Sequence, residues 1–150
     1  LEMDEHTVQK ADEVSAKDIE GLKTTYGVGN FYLSTQVLDA QADIIERVAQ
    51  NESCIIMGRC ADYILRSRPD VLRVFVYADR DIRLRRAIDE YGDLEEHIDE
   101  FMHQTDKRRR IYYENYTNQR WGDRENYDLM LNSGDLGIEK CVELICQAVK

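Results

Sequence analysis

The stretch 54-CIIMGRCADYILRSRPDVLRVFVYA-78 decides the fold. Two apolar runs, 54-CIIMG-58 and 73-RVFVYA-78, frame a short amphipathic segment. Each run is brief and continuous, as in a strand covered on both faces of a parallel sheet. The second is rich in the β-branched and aromatic side chains that suit a pleated surface. Between them Ala61, Ile64 and Leu65 share a face and Pro69 ends the segment, which predicts a short connecting helix. Strands alternating with helices predict an α/β fold with a parallel sheet.

The same alternation continues in both directions. Downstream, a charged helix is predicted from about Asp81 to Tyr91, and Asp93 with Glu96 caps a long helix through Ile98, Phe101, Met102, Tyr112 and Tyr113. After the loop 121-WGDREN-126 a third strand is predicted at 127-YDLMLNS-133. A final helix follows from a cap at Asp135, with Ile138, Cys141, Val142, Ile145, Ala148 and Val149 at helical intervals. Upstream, Val37, Leu38, Ile44, Ile45, Val48 and Ala49 predict a helix from Ser34 or Thr35 to Asn51. Ser15 and Asp18 have capping-box form, and Gly21 interrupts the helix they would start. The segment 21-GLKTTYGVGN-30 is predicted to be a loop. Its Gly27 and Gly29 follow no strand and lack the third glycine of a dinucleotide fingerprint.

A chain of 150 residues with a single proline predicts one domain over residues 1–150. No apolar run approaches bilayer length, and the acidic start LEMDEHTVQKADEV has neither the basic end nor the apolar core of a secretory signal. The expectation is a cytoplasmic protein with no membrane partner. The first residue is Leu1, which suggests a processed or truncated start. Cys54, Cys60, Cys141 and Cys146 form no C-x-x-C pair, so no metal site is expected; Cys54 and Cys141 fall on apolar faces and are expected in the core. A net charge of −10 repels nucleic-acid phosphates at long range and argues against a dedicated DNA or RNA binder.

In an open parallel sheet ligands bind beyond the carboxyl ends of the strands, so the residues just after each apolar run are the candidates. They are Gly58, Arg59 and Asp62; then Asp79, Arg80, Asp81 and Arg83; then Asn132, Ser133 and Asp135. A guanidinium at Arg59 can grip a phosphate with two parallel hydrogen bonds, and Gly58 lets the backbone come close. Equally, Arg59 can pair with Asp62 at a helix start. Two further basic groups, 80-RDIRLRR-86 and 105-TDKRRRIYYENYTNQRW-121, fit either a cationic lid over an anionic transition state or a solvated face pairing with Asp81, Asp89 and Glu90. Tyr112, Tyr113, Tyr116 and Trp121 interleave with Lys107, Arg108, Arg109 and Arg110, a pattern that also suits stacking on single-stranded RNA.

Taken together, 57-MGRCADYIL-65, 105-TDKRRRIYYENYT-117, 121-WGD-123 and 127-YDLMLNSGDLGIEKCVELI-145 resemble the cytidylate kinase-like proteins, from about Ala40 to the end of the chain. The resemblance implies a three-layer α/β/α fold of the P-loop nucleoside-monophosphate kinase type, with an arginine-rich lid at about 83–120. It implies transfer of the ATP γ-phosphate to a nucleoside monophosphate such as CMP, with Mg2+. Gly58, Arg59 and Asp62 would contact the acceptor, Arg83 and Arg86 would begin the lid, Arg108 or Arg109 would reach the transferred phosphate, and Asn132 and Ser133 would lie near the donor adenine.

One part of the pattern is missing. Nothing from Leu1 to Asn30 reads G-x-x-x-x-G-K-[ST] or a shorter glycine-rich variant after an apolar run. In the resembled kinases that strand and loop lie mid-sheet, so the expectation is the C-terminal portion of a longer protein, or a strand supplied by another segment or subunit, such as a homodimer partner. The rival reading is a degenerate kinase fold kept as a nucleotide sensor or protein-interaction module.

Overall fold

The computed structural model describes residues 29–91 and 95–149, with side chains over 38–89 and 98–149. The sequence patterns assigned to residues before 29, including the Ser15 cap and most of the 21–30 loop, and the Asp93 cap, lie outside these residues. The chain divides into two compact units, Leu1–Ile64 and Leu65–Lys150.

In the first unit, helix α1 (Gly29–Asn51) begins several residues before the predicted start. Its stripe is buried at Ile45 and partly covered at Leu38, Val48 and Ala49. The helix ends as Asn51 Nδ2 donates to the Arg47 carbonyl at 2.9 Å and the Glu52 N–H donates to the Val48 carbonyl. The run 54-CIIMG-58 then departs from expectation, because it joins no ladder. Ile55 is 94% exposed, Met57 is 87% exposed, and Cys54 is exposed instead of in the core. A strand is defined by its hydrogen-bonded neighbour, and the described residues place none beside this run.

Gly58, Arg59 and Cys60 follow in the left-handed region, with φ of 70°, 55° and 55°. For Arg59 and Cys60 this costs on the order of 1–2 kcal/mol each. The turn hands the chain to α2 (Ala61–Ile64), in which the Cys60 carbonyl accepts from the N–H groups of Tyr63 and Ile64. Cys60 and Ala61 are buried where α2 packs on α1.

The second unit contains β1 (Val74–Tyr77), α3 (Arg80–Tyr91), α4 (Glu95–Thr117), a 3-10 turn at Arg124–Asn126, β2 (Leu129–Asn132), α5 (Ser133–Leu136) and α6 (Ile138–Ala148). The strands pair in parallel, Val74 with Leu129 through to Tyr77 with Asn132, and α3 and α4 form the crossover. The predicted second and third strands therefore exist and are neighbours. Their register is fixed at the start, where Arg73 places its guanidinium on both carboxylate oxygens of Asp128 at 3.0 and 2.7 Å and donates its backbone N–H to the same group at 2.9 Å.

Phe75 carries the packing on one side of β1. Its ring meets Trp121 edge-on at 5.6 Å and Tyr127 at 4.9 Å. Gly122, at φ 75°, sits so close that an added Cβ would come within 3.2 Å of the Phe75 ring. Leu131, Ile98, Tyr113 and Cys141 are the other buried apolar positions of this unit, with Leu65. The last helix is where its periodicity placed it, but Asp135 does not cap it: Gly137 precedes Ile138, and Asp135 lies inside α5. The cap of α5 is Asn132, whose Oδ1 accepts from the Gly134 N–H at 3.0 Å. Among the described residues no helix is long and apolar enough to cross a membrane.

Candidate functional site

Where β1 and β2 end, side by side, the chain turns on Ser133. The Ser133 hydroxyl donates to the Tyr77 carbonyl at 3.1 Å and accepts from Arg86 Nη1 at 3.0 Å, while Arg86 Nη2 donates to the Ser133 carbonyl at 2.7 Å. One guanidinium on α3 thus ties together the ends of both strands and the start of α5. Beside it, Asn132 Nδ2 donates to Asp135 at 2.7 Å, so both ends of the Asn132 amide are engaged within the turn. Gly134 keeps this turn tight, since a Cβ there would meet Ile82 at 2.8 Å and Asn132 Oδ1 at 3.0 Å. Asn132 and Ser133 therefore shape the strand ends, with their polar side-chain atoms engaged in hydrogen bonds of the turn.

One turn before Arg86 on α3, Arg83 forms a two-pronged bridge to Asp106 of α4, at 2.7 and 2.9 Å. Arg109 approaches the same carboxylate at 3.9 Å and is itself 63% exposed. Hydrogen bonding to Asp106 raises Arg83 above the ordinary arginine range, with burial opposing. Arg80 bridges to Asp99 of α4 at 2.5 Å in the open, which raises it in the same way. Arg108 lies along the exposed side of α4, its Nη2 donating to Thr105 Oγ1 at 3.2 Å. Two arginines, Arg83 and Arg109, thus converge on one carboxylate, with Arg108 next to Arg109 in the chain.

Gly58, Arg59 and Asp62 belong to the first unit. Arg59 is exposed on the left-handed turn, and Asp62 stands in the first turn of α2. The Cys60 thiol between them is buried, and burial first, and then the Asp62 charge, push it up to about 12 against the opposing pull of Arg59. Among the described residues no group of His, Cys, Asp or Glu side chains is arranged to hold a metal ion.

The aromatic residues of α4 do not form a stacking face. Tyr113 is buried, with its hydroxyl 3.3 Å from Gln119 Oε1; Tyr112 and Tyr116 pack edge to face at 4.5 Å; Trp121 is taken by Phe75. Sequence reasoning missed Asp106. Its i,i+3 spacing to Arg109 was visible, but its bridge to Arg83 spans 23 residues and follows no local period.

The second unit thus gathers arginines at the ends of its parallel strands and on the crossover helices. The comparison with protein families matches residues 1–135 to the cytidylate kinase-like family, and the chain belongs to that family. The match begins well before Ala40, from which the resemblance is read in the sequence, and ends at residue 135, short of the chain end to which it is read. Among solved structures, an uncharacterized protein from Eubacterium ventriosum ATCC 27560 is similar in fold, with a TM-score of 0.72 and 24% identity over 94% of this chain and 78% of that one. No curated protein matches the chain.

Proposed function

We propose that the protein transfers the ATP γ-phosphate to a nucleoside monophosphate such as CMP, within a single domain whose lid spans about 83–120. The observation that carries this reading, beyond family membership, is the convergence of Arg83 and Arg109 on one side of α3 and α4. Phosphoryl transfer asks little covalent chemistry of a protein and depends on positioning and on cations over the transferred group. In this reading Arg108 and Arg109 reach the phosphate being transferred, and Arg83 supports them. Arg86 roots the lid at Ser133. Gly58, Arg59 and Asp62 hold the acceptor, with the Arg59 fork suited to a monophosphate.

The arginines fit the phosphates of a nucleotide. The described residues offer no protein-held cluster for magnesium, and Leu1–Asn30 has no glycine-rich phosphate loop, so no step is assigned to either. Kinetic measurement with CMP and other monophosphates tests the proposal. Arg59→Ala should raise KM for the acceptor, and Arg109→Ala should lower kcat by about 10³ or more. Unchanged kinetics in both variants would remove the assignment.

A second reading, in which the chain binds a nucleotide as a sensor or interaction module, draws on the lack of a glycine-rich phosphate loop within these 150 residues. That reading predicts saturable binding of a monophosphate with no release of ADP. A cytoplasmic location and a homodimer, the latter tested by sedimentation equilibrium, complete the proposal.

A further inference from the structure

The Arg83–Asp106–Arg109 cluster carries an inference that rests on the proposed phosphate-handling role and concerns its regulation. Asp106 is partly buried, its carboxylate accepts both prongs of Arg83, and Arg109 stands 3.9 Å from one of the same oxygens. A carboxylate and a phosphate present the same planar fork of oxygens to a guanidinium, and Arg83 cannot satisfy both at full strength. The ion pair joins two helices of the crossover, α3 and α4, as Arg80–Asp99 also does, so releasing it loosens one of the ties between them.

We infer that Asp106 is a resident counter-ion that occupies the arginine cluster in the ligand-free protein and is displaced when a phosphate group arrives. Its carboxylate keeps Arg83 oriented and its charge compensated while the cluster is empty. An incoming phosphate dianion takes over the Arg83 fork and draws in Arg109, whose longer, exposed contact with Asp106 is the first to yield. Asp106 is thus a positioning residue that sets a threshold for anion binding, and it makes the cluster selective for groups that outcompete a carboxylate. Monoanions with one accepting oxygen should not open it.

The test uses inorganic pyrophosphate as the probe in calorimetric titrations of the chain and of Asp106→Asn, Asp106→Glu and Arg109→Ala. Removing one negative charge that lies 2.7 Å from Arg83 and 3.9 Å from Arg109 should tighten pyrophosphate binding in Asp106→Asn by about tenfold or more, whereas Asp106→Glu should stay within about threefold of the parent. Arg109→Ala should weaken binding. If Arg109→Ala weakens binding while Asp106→Asn leaves it unchanged or weaker, the counter-ion role is overturned and the phosphate site stands. If no variant binds, or Arg109→Ala binds as well as the parent, the phosphate site itself falls and the inference falls with it. Should Asp106→Asn unfold, the unaltered protein decides: NMR signals of the Arg83 guanidinium, assigned by their loss in Arg83→Lys, should shift on addition of pyrophosphate. Fixed Arg83 signals alongside shifting Arg109 signals would overturn the exchange of partners.

Discussion

Arg73 and Asp128 stand immediately before paired strands and are joined by four hydrogen bonds: two from the guanidinium and one from the Arg73 N–H to the Asp128 carboxylate, and one from the Asp128 N–H to the Arg73 carbonyl. A two-stranded parallel ladder is weak by itself, and this bridge fixes which residue of β1 faces which residue of β2. Its partial exposure limits its worth. A double-mutant cycle of Arg73→Ala and Asp128→Asn, read by urea unfolding, should give a coupling of about 1 kcal/mol.

The same pair sets an acid limit. Hydrogen bonding to Arg73 holds the Asp128 carboxyl below its ordinary value of 3.8, against a smaller opposing effect of burial. Because the folded value is depressed, the contribution is complete above the unfolded value and disappears as pH falls through the folded one. Unfolding midpoints measured from pH 6 to pH 2 should therefore decline more steeply below about pH 4 in the parent than in Asp128→Asn. Parallel curves would show that the bridge contributes nothing.

Arg86 should behave as an architectural residue. Its two bonds to Ser133 need a planar fork, which lysine lacks. Both Arg86→Lys and Arg86→Ala should lower stability, by about 1–3 kcal/mol. Hydrogen exchange at the Ser133 and Gly134 amides should rise in each. A lysine variant of full stability would show that the fork is not needed.

The cysteines should separate by reactivity. Cys54 and Cys146 are exposed, whereas Cys141 is buried and Cys60 is buried with its thiol pushed up to about 12. Iodoacetamide at pH 8, followed by mass mapping, should label Cys54 and Cys146 and spare Cys60 and Cys141, because the thiolate is the reacting form. Fast labelling of Cys60 would contradict the packing of α2 on α1.

These elements also show what the sequence could convey. The run 74–77 was legible because its β-branched and aromatic residues pack on Trp121, Gly122 and Tyr127, and the last helix because Cys141 and its neighbours recur at helical spacing. The run 54–58 has the same local character, yet a strand also needs a neighbour, and apolarity does not encode whether one is present. Asp135 looked like the cap of the last helix, but the intervening Gly137 and the shorter reach of Asn132 divide the segment in two. At the candidate site, strand ends pointed to Arg59, Arg83, Asn132 and Ser133. The partners that give those residues their roles, Asp106 for Arg83 and Ser133 for Arg86, come from distant parts of the chain and leave no periodic trace.

The most direct measurement is calorimetric titration of the 150-residue chain with CMP, the other nucleoside monophosphates and magnesium-ATP, each run separately. The account predicts saturable binding of a monophosphate, CMP among the tightest, that is weakened in Arg59→Ala and retained in Arg73→Ala. Failure of every monophosphate to bind a folded chain would contradict it.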